Sequence, residues 1–270
     1  MRTEFIVAKE AATLLHRDFN KYKRGVVGMY LLSGLDWQAA QVFRKGYFFM
    51  RNIDDVLDRD RPIKSDPLSY VQDLRKQVET GNYQSRDGVS ILAKDAIQGL
   101  ERYKRLEDNP RLDFLRAIDG VVFDYERSQK RKVLPAAELK QYFFDAFDPV
   151  VNLSLMALSP TLRTKDMPLM SYAQGITYAA RDLATDWTRG TLNIPAEVLQ
   201  KAGLTSEDTP SQVEDSQDVR LWFMQLFSET RPQIMTFRGN LKRTESAAAN
   251  FIFGGLIDGM LSIIDGYGLK

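Results

Sequence analysis

Two carboxylate groupings, well over a hundred residues apart, carry the chemistry of this chain. The first is Asp54-Asp55-Val56-Leu57-Asp58, led in by Tyr47 and Arg51; the second is Asp182 with Asp186, just after Arg181. On a helix, Tyr47, Arg51, Asp54 and Asp58 fall on one stripe, and Asp182 and Asp186 lie one turn apart. Two acidic faces looking at each other across a helical cavity are the expectation. Carboxylates this dense repel one another, and no fold requires them, so a compensating cation explains them best. All-oxygen ligands point to Mg²⁺, which is commonly held by a few carboxylates together with substrate phosphates. A diphosphate substrate follows from that. A solvated acidic helix face is the ordinary alternative for either grouping alone; the recurrence of a second acidic pair is what argues against it.

The elements that position these residues read as helices. Apolar residues recur at helical spacing along the chain, and alternating strands bounded by hairpin signals are missing. Helices are expected near 3–18, 37–58, 66–80, 88–106, 110–131, 136–159, 167–187, 195–203, 212–238 and 244–265. Arg61-Pro62 closes the first acidic helix, and Asp66-Pro67 opens the next as a cap followed by proline. Thr80-Gly81-Asn82 and Arg86-Asp87-Gly88 read as turns, and Asp108-Asn109-Pro110 as a cap and start. Pro149, inside the stretch from Leu139 to Leu158, is expected to break or kink it.

At the acidic residues the chain resembles a known family. Tyr47-x-x-x-Arg51-x-x-Asp54-Asp55-x-x-Asp58 is similar to the first signature of the squalene and phytoene synthases, the head-to-head prenyl synthases. Arg181-Asp182-x-x-x-Asp186-Trp187-x-Arg189-Gly190-x-x-x-Ile194-Pro195 resembles their second signature, and Asp124 in the intervening helix also fits. The resemblance spans roughly residues 25 to 265. It implies an all-α, isoprenoid-synthase-like bundle around a central cavity and Mg²⁺-dependent transfer between prenyl diphosphates of the farnesyl or geranylgeranyl class. It further implies Asp54, Asp58, Asp182 and Asp186 as metal ligands. Tyr47, Arg51, Asp55 and Arg181 would act in catalysis, although Asp54, Asp55 and Asp58 cannot all point the same way on one helix. Any use of NADPH is left open.

Departures from the family pattern bear on the product. The serines usual in the N-terminal diphosphate-contacting segment are missing near Arg24 to Gly28, where Lys21 or Arg24 could substitute by charge. Tyr178 stands where the family has a metal-binding Asn, four residues before Asp182, and Thr191 and Asn193 replace an Arg and a Tyr. Lys21, Arg24, Tyr178 and Arg189 are thus the candidate substrate contacts. Two further readings stay open: a terpene-synthase-like or diphosphate-removing enzyme acting on one prenyl diphosphate, and a non-catalytic helical member. Phe43, Phe48, Phe49, Phe123, Phe143, Phe144 and Phe147 offer apolar surface to a polyprenyl tail, though each singly reads as core.

Composition narrows the classes. With 270 residues and no linker rich in Gly, Ser or Pro, one large helical domain over 1–270 is the expectation. The 37 basic residues nearly balance the 36 acidic ones, so no global field favours nucleic acid. The basic run Lys21-Tyr22-Lys23-Arg24 is local. Cysteine is absent, which removes disulfides and thiol nucleophiles, and His16 is the only histidine, which removes multi-histidine metal sites. Gly25-Val26-Val27-Gly28 follows no expected strand and is not a nucleotide fingerprint. The opening Met1-Arg2-Thr3-Glu4-Phe5 lacks a signal-peptide core, so a cytoplasmic location is expected. Ala247 to Ile264 is apolar but interrupted by Asn250 and Asp258; it reads as a last core helix, with peripheral membrane contact as the alternative.

Overall fold

The computed structural model describes residues 2–84, 88–167, 169–244 and 246–268. Among the described residues there are helices and no strands. In chain order they are α1 (Arg2–Arg17), α2 (Phe19–Leu31), α3 (Trp37–Leu57), α4 (Pro67–Thr80), α5 (Val89–Leu100) and α6 (Pro110–Gln129). There follow α7 (Ala136–Leu158), α8 (Leu169–Arg181), α9 (Leu183–Arg189), α10 (Ala196–Ala202), α11 (Pro210–Asp215), α12 (Gln217–Arg243) and α13 (Ala247–Gly266). A short 3₁₀ turn, Leu32–Gly34, links α2 to α3. The contacts group into two compact units: Met1–Val121, Pro149–Arg163 and Thr244–Phe253 form one, and Val122–Asp148, Thr164–Arg243 and Gly254–Lys270 the other.

In the first unit α3 packs most extensively on α5, with α1 and α4 against both. The Asp36 side chain accepts from the Ala39 N–H at 2.9 Å and starts α3. Phe48, Phe49, Ile53 and Val56 then bury one face of that helix, and Phe49 meets Phe114 edge-to-face at 5.6 Å. The α3–α5 approach depends on Gly99, where an added Cβ would lie 2.3 Å from Val42 Cγ2. The Asp66 cap is as expected, accepting from the Ser69 N–H at 2.8 Å, and Gly81 closes α4 at φ 71°. Asn109 caps α6, accepting from the Leu112 N–H at 3.1 Å. Of the turn expected at Arg86-Asp87-Gly88, Arg86 and Asp87 lie outside the described residues.

The second unit is organised on α8 against α12, with α10 and α11 also on α12. Phe143, Ile176, Trp187, Phe223 and Phe227 form its core, and the Trp187 indole donates to the Asp208 carbonyl at 2.7 Å.

Several expectations need correction. Residues 19–31, assigned to no element, form α2, and the helix expected over 212–238 is two helices, α11 and α12. The first acidic helix, expected over 37–58, runs to Leu57, and the left-handed φ of 60° at Arg59 stops it before Arg61-Pro62. The helix expected over 167–187 is two helices, α8 and α9, joined at Asp182 (φ −100°, ψ 10°). Finally, Pro149 does not break α7, which runs unbroken from Ala136 to Leu158. One backbone hydrogen bond is lost at Pro149, and the burial of Val151, Leu155 and Met156 beyond it holds the helix together. The unit boundary falls at that proline.

Helix α13 is the one helix among the described residues long and apolar enough to cross a membrane, and 39% of its most apolar window is buried. Its buried positions Ala249, Phe253, Ile257, Met260 and Ile264 follow a single stripe, so one face packs into the core and the other is uncovered.

Candidate active site

The first acidic group sits at the C-terminal end of α3. Arg51 lies at its centre, Nη1 2.6 Å from Asp54 Oδ2 and Nη2 2.6 Å from Asp55 Oδ1. Its Nη2 also donates to the Tyr22 hydroxyl at 2.9 Å. Arg17, from α1, approaches from the other side: Nη1 is 2.9 Å from Asp55 Oδ2, and Nη2 donates to the same Tyr22 hydroxyl at 2.6 Å. Asp55, its side chain 6% exposed, is thereby clamped between two guanidinium groups, both of which also lie near the Tyr22 ring at 5.0 and 5.3 Å. Asp54 is half-buried, and Asp58 is exposed at the C-cap of α3, its N–H bonded to the Asp54 carbonyl at 2.9 Å. The one-turn spacing of Asp54 and Asp58 therefore survives the earlier helix end.

Burial works against the Arg51 charge, but Asp54 and Asp55 outweigh it and hold the guanidinium above its ordinary pKa. Tyr47, half-buried on the same stripe, has its phenol pushed up to about 12 by burial, with the Arg51 charge opposing. Lys21 places its ammonium 5.5 Å from the Tyr22 ring, while Arg24 is exposed on α2. Sequence reading missed Arg17 and Tyr22. Tyr22 lay inside the basic run, but without α2 as a helix its buried, inward placement was invisible.

The second acidic group lies where α8 gives way to α9. Arg181 grips Asp182 through two bonds, Nε to Oδ1 at 2.8 Å and Nη2 to Oδ2 at 2.6 Å. That grip raises the Arg181 pKa. The Asp186 N–H bonds the Asp182 carbonyl at 2.8 Å, so the pair stays one turn apart although the helix restarts between them. Tyr178, in place of the family's Asn, lies under the Arg181 guanidinium at 4.1 Å and meets Phe147 edge-to-face at 5.9 Å. Burial raises its phenol pKa. Arg189 ends α9 and is exposed; the next residue must be glycine, since Gly190 has φ 89° and a Cβ there would lie 2.4 Å from the Ser128 carbonyl oxygen.

Asn193, another departure, has a defined place. Its amide nitrogen donates to Asp186 Oδ2 at 3.2 Å, and its carbonyl oxygen accepts from the buried Arg127. Arg127 in turn binds Asp124 at 2.7 Å, and Asp124 also accepts from the Tyr142 hydroxyl. A chain of polar contacts thus runs from a buried arginine to Asp186 and fixes one of its oxygens. Around it Phe123 stacks on Tyr142 at 5.5 Å and Phe144 on Tyr172 at 5.3 Å.

The described residues contain no group of three or more His, Asp or Glu side chains that could hold a metal ion by itself. Each acidic group offers hard oxygens from a pair of carboxylates, one of which is already neutralised by an arginine. Such carboxylate oxygens would suit Mg²⁺ held together with phosphate oxygens. One cavity of about 180 Å³ is lined by Ala180 and Leu183, on either side of Arg181-Asp182, and by Arg220, Phe223 and Tyr267; another of about 420 Å³ lies beside Trp37, Lys45 and Tyr103.

Residues 30–262 match the family model described as squalene/phytoene synthase. The chain belongs to the squalene/phytoene synthase family. Its all-helical architecture agrees with the isoprenoid-synthase fold, and membership supports head-to-head joining of prenyl diphosphates as the general class of chemistry. No curated protein matches the chain.

The buried phenols of this squalene/phytoene synthase family member carry a pH signature. Tyr47 and Tyr172 are both pushed up to about 12, chiefly by burial, whereas an unfolded tyrosine ionises near pH 10. The folded state keeps protons that the unfolded chain sheds, so this stability is complete below pH of about 10 and is lost as pH rises toward about 12. Urea midpoints should be level through neutral pH and fall above that point, and the fall should be shallower in Tyr47→Phe/Tyr172→Phe. An alkaline limb of unchanged steepness in the double variant would count against these phenols as its source.

Proposed function

We propose that the protein is a Mg²⁺-dependent prenyltransferase that joins allylic diphosphates of the farnesyl or geranylgeranyl class head to head. The observation that carries this reading is the pairing of each aspartate signature with its own arginine, Arg51 with Asp54 and Arg181 with Asp182. A guanidinium poised on a carboxylate can turn to a diphosphate oxygen while the carboxylate takes a cation. In the first unit Asp54 and Asp58 would hold Mg²⁺, and in the second Asp182 and Asp186 would do so. Bound there, Mg²⁺ neutralises the charge that develops on a departing diphosphate.

The chain's own groups do the rest. Arg51, steadied by Asp55 and Tyr22, and Arg181, steadied by Tyr178, donate to diphosphate oxygens. Asn193 holds Asp186 Oδ2 and so orients its carboxylate. The rings of Phe123, Phe144 and Phe147 supply apolar surface that keeps water from a carbocation. Tyr178, with its face already under a guanidinium, is suited to a cationic neighbour.

Incubation with Mg²⁺ and each prenyl diphosphate, followed by mass spectrometry, tests the proposal. A product with twice the substrate's carbon skeleton is expected. Diphosphate release with a single prenyl skeleton would replace head-to-head joining with a one-substrate reaction, and no release with any chain length would sink both.

A further inference from the structure

The outward face of α2 and of the turn after it carries apolar side chains that the acidic site does not use. Phe19, Val27, Tyr30, Leu31, Leu35 and Trp37 are 40 to 61% exposed, within nineteen consecutive positions. On α2 the first four fall at i, i+8, i+11 and i+12, one arc of the helix, and Tyr22, Val26 and Met29 fill the adjoining, buried arc. The apolar surface of the helix is therefore wider than the part its neighbours cover. Phe251, itself exposed at the start of α13, lies 3.9 Å from where a Cβ on Gly28 would sit, beside that arc. A contiguous apolar surface of this kind marks an interaction site.

Its charge indicates the occupant. Helix α2 carries Lys21, Lys23 and Arg24 and no acidic residue, in a chain whose net charge is only +1. Lys23 holds its ammonium 5.3 Å from the Phe19 ring, and Arg24 borders the stripe next to Leu31. The Tyr30 and Trp37 rings rest on the guanidinium of the buried Arg44, at 4.9 and 5.7 Å, so both are held in place before any partner arrives. Amphipathic rings at the level of cations, beside aliphatic side chains, match the boundary between lipid headgroups and acyl chains. The exposed carboxylates at either end of the face, Asp18 and Asp36, are taken up as helix caps by the Lys21 and Ala39 N–H groups, so the charge that α2 itself presents is cationic, and a second copy would set two such helices together.

We propose that this face, Phe19 to Trp37, docks the protein on an anionic lipid surface. The proposal does not rest on the catalytic reading, since its test contains no prenyl substrate. The full chain is mixed with neutral phosphatidylcholine vesicles, or with vesicles that also carry phosphatidylglycerol, and binding is measured by flotation and tryptophan emission. Trp37 is exposed whereas Trp187 is buried, so docking should shift the emission to the blue. Binding should require the anionic lipid and weaken at high salt. It should fall about tenfold or more in Val27→Gln/Leu31→Gln and in Lys23→Glu/Arg24→Glu. Leu106→Gln, at a fully exposed leucine outside the patch, should bind as wild type. Equal binding to neutral vesicles, an equal loss in Leu106→Gln, or no vesicle binding alongside a dimer that Val27→Gln/Leu31→Gln dissolves would each overturn the proposal.

Discussion

Turnover of an allylic prenyl diphosphate is expected to fall by about 10² to 10³ when Asp54 or Asp182 is replaced by asparagine, the range for losing one electrostatic contact to a developing anion. Asparagine keeps the shape of each side chain and removes its charge. Arg51 and Arg181 then lose the carboxylates now 2.6 Å from them, and the metal loses a hard anionic ligand. Neither residue is deeply buried, so both variants should fold, with circular dichroism and urea midpoints near wild type. Asp73→Asn, on the exposed side of α4, is the matched control. Chelation of Mg²⁺ should abolish the wild-type reaction and leave little for the variants to lose. Full turnover by Asp54→Asn or Asp182→Asn would overturn the assignment of that aspartate.

Asp55→Ala should behave differently, as a stability defect first and an activity defect second. Its carboxylate touches both Arg17 and Arg51, at 2.9 and 2.6 Å, and each keeps only one other carboxylate nearby, Asp60 at 3.7 Å from Arg17 and Asp54 at 2.6 Å from Arg51, among the described residues. Removing one member of a buried ion pair typically costs about 3 to 5 kcal/mol, because the partner charge is left uncompensated. Here the Arg17 and Arg51 side chains keep 24% and 21% of their surface exposed, so solvent recovers part of that and a loss of about 3 kcal/mol is expected. In a chain of this size the melting temperature should drop by roughly 6 to 12 °C. Pairing the change with Arg17→Met should return part of the loss, since one stranded cation goes with its partner. A urea midpoint within error of wild type would show that Asp55 is not the keystone of this cluster.

Much of the site could be read from spacing because helical period is a local property. Tyr47, Arg51, Asp54 and Asp58 share a stripe by arithmetic alone, and the family signatures lie within short windows. Caps at Asp66 and Asn109 and the left-handed Gly81 follow from side-chain chemistry over three or four residues. What escaped reading depends on distant packing. Helix α2 has Gly25 and Gly28 in its interior, each a helix-weakening residue, and is held by the burial of Tyr22, Val26 and Met29 that no local pattern reveals. With α2 went the Arg17–Tyr22–Arg51 cluster. The interruption at Asp182 was hidden for the opposite reason: the apolar period continues through it, and only the backbone turns. Asn193 looked like a loss of polar equipment until its bonds to Asp186 and Arg127 gave it a place.

Each compact unit is assembled from three separate stretches of chain, and helices α6, α7 and α13 each supply residues to both. No single cut releases either unit whole. During synthesis the first unit has its initial 121 residues early but waits for Phe253 before its last stretch exists. At about 5 to 20 residues per second the ribosome leaves that core incomplete for roughly 7 to 26 seconds. For that interval the faces that Ala248 and Ala249 will cover have no partner. Holdase binding by the nascent chain, and misfolding of C-terminal truncations even when both aspartate signatures are kept, are the outcomes expected from this interleaving.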